Sequence, residues 1–239
     1  MIIVPKWIAL TAFKYPSDDK VYYGDWSGIF GYSDIQYYKP SLYSPNEISV
    51  GDRITSLARN ACKDVMALNR IVIRDNITSI PDSAFNNCRY MSEITLGNNI
   101  SSIGSYSFFG CAKLQVIKLP NSLLNISKDA FKSSSLSNIN LGELNNITSI
   151  GNSAFESCTR LSSVSWPHSV TSLNEYVFAY CNKLKRIDIP DEVSSIGKNA
   201  FDQCTSLSSI YCGNNLTSIN SYAFYACSSL KSIIFNDNI

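Results

Sequence analysis

Apolar residues return along this chain in one repeated frame, with polar residues between them. Phe85, Phe108, Phe131, Phe155, Phe178, Phe201 and Phe224 are separated by steps of 23, 23, 24, 23, 23 and 23 residues. Three positions after each stands Cys, as in Cys88, Cys111, Cys158, Cys181, Cys204 and Cys227, with Ser134 the exception. Six positions after come Met91, Leu114, Leu161, Leu184, Leu207 and Leu230, and nine after come Ile94, Ile117, Val164, Ile187, Ile210 and Ile233. A fixed period of this length signals stacked units that share one continuous core. An earlier unit fits the same frame, with Cys62 where later units carry Phe and with Ile71 and Ile73 at the strand positions. The array therefore has eight units, anchored at 62, 85, 108, 131, 155, 178, 201 and 224.

Each unit predicts two kinds of segment. Ile94 and Leu96 alternate with Glu93 and Thr95, so one pair faces inward and the other outward from a strand. One such strand per unit stacks into a parallel sheet. The Ala-Phe-x-x-Cys-x-x-Leu segment has apolar residues three apart, which predicts a helical or 3₁₀ turn on the opposite side. Ile77 and Ile80 and their equivalents build a return segment, and Gly104, Gly151 and Gly197 fit a bend after it. The fourth unit is one residue short before Ile139 and two residues long before Ile147, so a bulge is expected near Glu143–Asn146. The fold expected is an α/β-type repeat solenoid, an arc with a parallel sheet on its concave face.

Residues 1–50 lie outside the repeat and form a small β-rich segment. They hold 11 of the 28 aromatic residues. Ile8–Tyr15 and Val21–Tyr23 are expected to pair as a hairpin. The segment reads either as a cap over the end of the stack or as an attachment module with an aromatic glycan site. Two domains follow, 1–50 and 51–239.

Charge and chemistry narrow the function. The chain has a net charge of +1 and 16% charged residues, which gives no electrostatic case for nucleic acid. No apolar run is long enough to insert in a membrane, and no signal peptide is visible in residues 1–30. The eight Cys read as a ladder of buried, reduced thiols rather than a disulfide framework, because six share one repeat position. No C-x-x-C occurs and His168 is the only histidine, so no metal or other cofactor is expected. His168 reads as a solvated loop residue. No phosphate loop and no Ser-His-Asp set is legible, and no enzyme is expected. Asn76, Asn99, Asn125, Asn146 and Asn215 head N-x-S/T sequons, which read as turn grammar.

Surface remains. The outward strand positions are Arg70 and Val72, Glu93 and Thr95, Val116 and Lys118, Asn138 and Asn140, Ser163 and Ser165, Arg186 and Asp188, and Ser209 and Tyr211, with Ser232 and Ile234 last. The repeat leaves these free to vary, which is how solenoids present a binding face. They are the candidate contact residues for a protein or glycan. Ile233, Ile234 and Phe235 mark a second expected contact, where a further copy or a partner would cover the last strand.

The stretch Leu184-Lys-Arg-Ile-Asp-Ile-Pro190-Asp-Glu-Val193-Ser-Ser-Ile-Gly197-Lys-Asn-Ala-Phe201-Asp-Gln-Cys204 resembles leucine-rich repeats of the 23-residue BspA-like class. The resemblance covers residues 51–239. It implies a non-enzymatic interaction or adhesion module on a cell surface, outside the cell or on a virion. The alternative is a structural or assembly protein docked by residues 1–50, with the repeats as spacer.

Overall fold

The computed structural model describes residues 9–14, 21–25, 47–50 and 54–235. Most of the aromatic N-terminal segment, including the expected attachment or glycan site, lies outside them. Each unit contributes a front strand and a two-residue return strand. The front strands are β4 (Arg70–Val72), β6 (Glu93–Thr95), β9 (Asn138–Asn140), β11 (Ser163–Ser165), β13 (Arg186–Ile189), β15 (Ser209–Cys212) and β17 (Ser232–Phe235). The return strands are β5 (Ser79–Ile80), β7 (Ser102–Ile103), β8 (Asn125–Ile126), β10 (Ser149–Ile150), β12 (Ser172–Leu173), β14 (Ser195–Ile196) and β16 (Ser218–Ile219). All these pairings are parallel and in register one unit apart, as in Ile187↔Ile210↔Ile233. Residues 116–118 are the one front segment that is not a strand, beside the unit that is a residue short.

At the N-terminal side, β1 (Ala9–Lys14) and β2 (Val21–Asp25) form the antiparallel hairpin expected from the sequence. β1 also pairs antiparallel with β3 (Glu47–Ser49), and β3 is parallel to β4, with Ile48 opposite Ile71. β3 thus occupies a front-strand place one step before β4.

No helix occurs among the described residues, so the α/β label is corrected: the fold is a parallel β-solenoid. The Ala-Phe-x-x-Cys segment is a chain of tight turns. Ala84, Asn86 and Cys88 close them, their N–H groups donating to the oxygens of Pro81, Ser83 and Phe85. The alternate N–H groups of Ser83, Phe85 and Asn87 point along the stack and donate to Ser105, Ser107 and Phe109 of the next unit, each at 2.8 Å. A helix would spend all its N–H groups within its own unit, whereas this conformation ties each unit to the next. It requires left-handed residues two before and two after the anchor, as at Ser83 (φ 55) and Asn87 (φ 58) or Tyr176 (φ 55) and Tyr180 (φ 61). Such residues cost about 1–2 kcal/mol each in isolation, and the inter-unit bonds offset that cost.

The anchors form the core. Six phenylalanines from Phe85 to Phe201 are fully buried, and full burial of such a side chain contributes about 1.5–3 kcal/mol. Their rings stack at 5.1–5.7 Å between centroids with interplanar angles of 4–19°. The cysteines complete the spine. Six of the thiols donate to the inward carbonyl of the preceding anchor, as Cys111 to Phe85 at 3.3 Å, Cys158 to Phe131 at 3.2 Å and Cys204 to Phe178 at 3.0 Å. Cys88 donates to Cys62, which confirms Cys62 as an anchor. The frame therefore selects cysteine for two properties: it is apolar enough to bury and still satisfies a carbonyl that faces the core. Ser134, the exception, lies 3.4 Å from the Cys158 sulfur. Burial pushes the thiols of Cys62, Cys111 and Cys158 from 9.0 up to about 12.

One position after the return strand alternates along the array: Pro81, Gly104, Ser127, Gly151, Asn174, Gly197, Asn220. At the glycines the backbone of the preceding unit comes close. A β-carbon on Gly151 would lie 2.5 Å from the Lys128 nitrogen and 2.7 Å from the Ser127 carbonyl carbon. Asn174 instead sends its side-chain amide back to the oxygen of Ile150 at 2.5 Å. Gly151→Ala is expected to destabilise by about 1–3 kcal/mol as an overpacked contact, and Ser127→Ala by under about 0.5 kcal/mol. Urea denaturation compares the two; equal losses would refute the close-approach account.

Candidate functional site

The front strands display two columns of side chains. Inward residues such as Ile71, Ile187 and Ile210 are buried, while Arg70, Glu93, Asn138, Asn140, Ser163, Ser165, Arg186 and Asp188 are exposed. Val72, Thr95, Ser209 and Tyr211 lie on the same outer side, Val72, Ser209 and Tyr211 being half-buried. Val116 and Lys118 are exposed on the segment that is not a strand. On the last described strand Ile234 and Phe235 are exposed and Ile233 is half-buried.

Register brings some of these residues together. Arg70 faces Glu93 across β4 and β6, with the Nε to Oε1 distance 3.4 Å. Ser165 donates to the Asn140 side-chain oxygen at 2.5 Å. The densest cluster lies on β13 and β15. Arg186 donates from Nε to Asp188 Oδ1 at 2.8 Å and from its terminal nitrogen to Oδ2 at 3.0 Å. The same guanidinium carbon sits 4.2 Å from the centroid of the Tyr211 ring. Asp188 is opposite Tyr211 in the ladder, so the three groups form a triangle held by two adjacent strands. The hydrogen bonds to Asp188 push the Arg186 pKa up, so the group stays a cation. A fixed cation, a carboxylate and an aromatic ring can recognise a partner. They hold no activated nucleophile.

Other candidate chemistry resolves into structure. His168 is exposed and its Nδ1 lies 2.9 Å from Glu192 Oε2 on the next unit. Among the sequons, Asn99 donates its amide to the oxygen of Asp75 at 2.7 Å and Asn146 donates to Asn121 at 2.9 Å. These amides tie neighbouring loops together. Among the described residues no cluster of His, Cys, Asp or Glu has the makings of a metal site, and no helix is long and apolar enough to cross a membrane.

Reading the sequence missed the second decorated face, that of the turns. Side chains two before and one after the anchor meet there in several units: Tyr106 and Phe109 lie 6.0 Å apart between ring centroids, and Tyr222 and Tyr225 lie 5.8 Å apart. Asn199 donates to Asp202 at 2.8 Å in the same arrangement. The readable signal was the three-residue spacing of Tyr106 and Phe109, and of Tyr222 and Tyr225, about an anchor.

A sequence profile of the BspA type leucine rich repeat region, found in six copies, matches residues 37–147 and 143–239. A leucine-rich repeat protein from Bacteroides ovatus has a similar crystal structure, with 29% identity and a TM-score of 0.57 over 76% of this chain. The chain spans 59% of that protein's length. The leucine-rich repeat protein of T. pallidum matches with 26% identity and a TM-score of 0.62, over 67% of this chain and 77% of its own. No protein of curated function matches the chain.

Proposed function

Because the chain belongs to the BspA-type leucine-rich repeat family, we propose that it is a non-enzymatic binding module, of the interaction or adhesion kind, that takes a protein partner on its front strand face. The repeat family is a scaffold for binding rather than for catalysis, and its resemblance to surface proteins favours an extracellular or surface setting. The observation that carries the reading is the Arg186–Asp188–Tyr211 triangle. Arginine and tyrosine are the residue types most often responsible for binding energy at protein interfaces. Here the paired Asp188 bonds and the contact of guanidinium on ring hold the two side chains in place, so less side-chain freedom is lost on binding. The surrounding positions are mostly Ser and Asn, which supply hydrogen bonds without a large apolar patch.

The test uses the full chain immobilised against a panel of extracellular-matrix and cell-surface proteins, with affinity read by interferometry. For a protein that binds, Arg186→Ala with Tyr211→Ala is expected to weaken affinity at least about tenfold, since hot-spot truncations cost upward of about 1–2 kcal/mol. Lys198→Ala, away from the triangle, should leave it unchanged. Binding that ignores the double substitution, or a panel with no binder, refutes this reading and favours a structural role for the array.

A further inference from the structure

The turn face holds a cavity of about 330 Å³ lined by Lys128, Asn152, Ser153, Glu156, Glu175 and Tyr176. Its origin is visible in the repeat. The left-handed position two before the anchor carries Tyr106, Asp129, Ser153 and Tyr176 in four successive units. Ser153 is small and buried where the next unit carries a tyrosine, which leaves a notch with the Tyr176 ring beside it. Asn152 and Glu175 occupy the preceding position of their own units and, with Lys128, form the rim.

One wall is built in advance. The Glu156 carboxylate is 14% exposed and sits 2.9 Å from Lys132 Nζ. Lys132 also lies 3.5 Å from Asp129 Oδ1. Burial alone would lower the Lys132 pKa, but Glu156 and Asp129 outweigh it and push it up. The carboxylate is thereby held at the notch by Lys132 and Asp129 of the preceding unit.

The lining selects a ligand class. Glu156 and Glu175 repel an anion, and Lys128 repels a cation. Lys128 and the Asn152 amide nitrogen donate; the carboxylates and the Asn152 oxygen accept. Hydroxyl groups do both. The Tyr176 ring offers an apolar surface at the side of these groups. A volume of about 330 Å³ is at the small end of ligand pockets, which run from about 300 to 1,000 Å³. We infer that this notch is a subsite for one neutral pyranose ring, seated against Tyr176 with its hydroxyls shared among Glu156, Glu175, Asn152 and Lys128. The sugar is either free or the terminal residue of a larger glycan.

The experiment is saturation-transfer NMR on the full chain with neutral hexoses, deoxyhexoses and N-acetylhexosamines at millimolar concentration, paired with an array of immobilised glycans. At least one sugar is expected to receive saturation or the array to retain the chain. Array binding alone assigns the notch to glycan termini, and binding of both assigns it to the sugar itself. Ser153→Tyr should reduce binding at least about tenfold by filling the notch. This substitution suits the backbone, since Tyr106, Tyr176 and Tyr222 occupy the same left-handed position at φ 55–60. If Ser153→Tyr fails to fold, Tyr176→Asn replaces it, because Asn199 holds the equivalent place. Arg186→Ala should leave sugar binding intact, which separates this site from the front strand face. No sugar bound in either assay, or binding unchanged by the folded notch variant, overturns the proposal.

Discussion

Raising the pH from about 8.5 to about 9.5 is expected to cost the fold about 5 kcal/mol. Seven cysteines, Cys62, Cys88, Cys111, Cys158, Cys181, Cys204 and Cys212, are buried in the core. Burial pushes every one of their pKa values up, those of Cys62, Cys111 and Cys158 to about 12. In the unfolded chain the same thiols ionise near 9.0. Above that value the unfolded state releases protons that the folded state keeps, so stability falls as pH rises. It is fully present below the unfolded value and is lost toward the folded one. Half a proton per thiol over that interval, at about 1.4 kcal/mol per unit, gives the figure stated. Domains of ordinary stability have about 5–15 kcal/mol in total, so a loss of this size should lower the urea midpoint markedly. Lysine and tyrosine titrate above about 10, so the chosen interval reports the thiols. Urea denaturation across the interval measures the slope. Cys181→Ser, copying Ser134, should flatten it by about one seventh, the share of one buried thiol among seven. Thiol titration in denaturant should count close to the eight cysteines of the chain. A flat stability up to pH 9.5, or several disulfides by intact mass, would sink the account.

Phe178→Ala is expected to destabilise by about 3–5 kcal/mol. The ring is fully buried, with Phe155 at 5.6 Å on one side and Phe201 at 5.7 Å on the other. The edge of Trp166 packs against it at 5.6 Å and 74°. Its removal therefore opens a cavity shared by three units, and stacked rings on both sides limit collapse. Phe224 is half-buried and stacks on Phe201 alone among the described residues. Phe224→Ala should cost less than half as much, since contacts in a one-dimensional stack are with neighbours only. Guanidinium denaturation of both variants decides it. Equal losses would contradict a stack in which each ring is supported by the ones beside it.

The inward pattern was legible because each buried position repeats its residue type. Phe at the anchor, Cys three later and Leu six later specify a core spine without any knowledge of angles. The turns were read as a helical or 3₁₀ turn for a definite reason: apolar residues three apart satisfy a helical stripe and a chain of tight turns equally. What distinguishes them is the left-handed residue on either side of the anchor. Asn60, Asn87, Asn199 and Gly110 stand at those places and tolerate that conformation well. Tyr106, Tyr176 and Tyr180 stand at the same places and hide the signal, because their conformation is imposed by the ladder. The outer strand positions were legible from alternation, but not which of them meet. Arg186 reaches Tyr211 diagonally across a register that only the stacked strands define. The notch at Ser153 was invisible for a related reason. It exists because of what three successive units lack or carry at one position, and no single repeat contains it.

The alternation of glycine with larger residues after the return strand, from Pro81 to Asn220, makes two repeats rather than one the unit that preserves its packing. Removing one repeat between Gly104 and Gly197 would bring two glycines or two bulky residues face to face, whereas removing two restores the original neighbours. Lengthening obeys the same arithmetic. Deleting two adjacent repeats, the 46 or 47 residues from Gly104 to Gly151 or from Gly151 to Gly197, is therefore expected to leave a better-matched stack than deleting one.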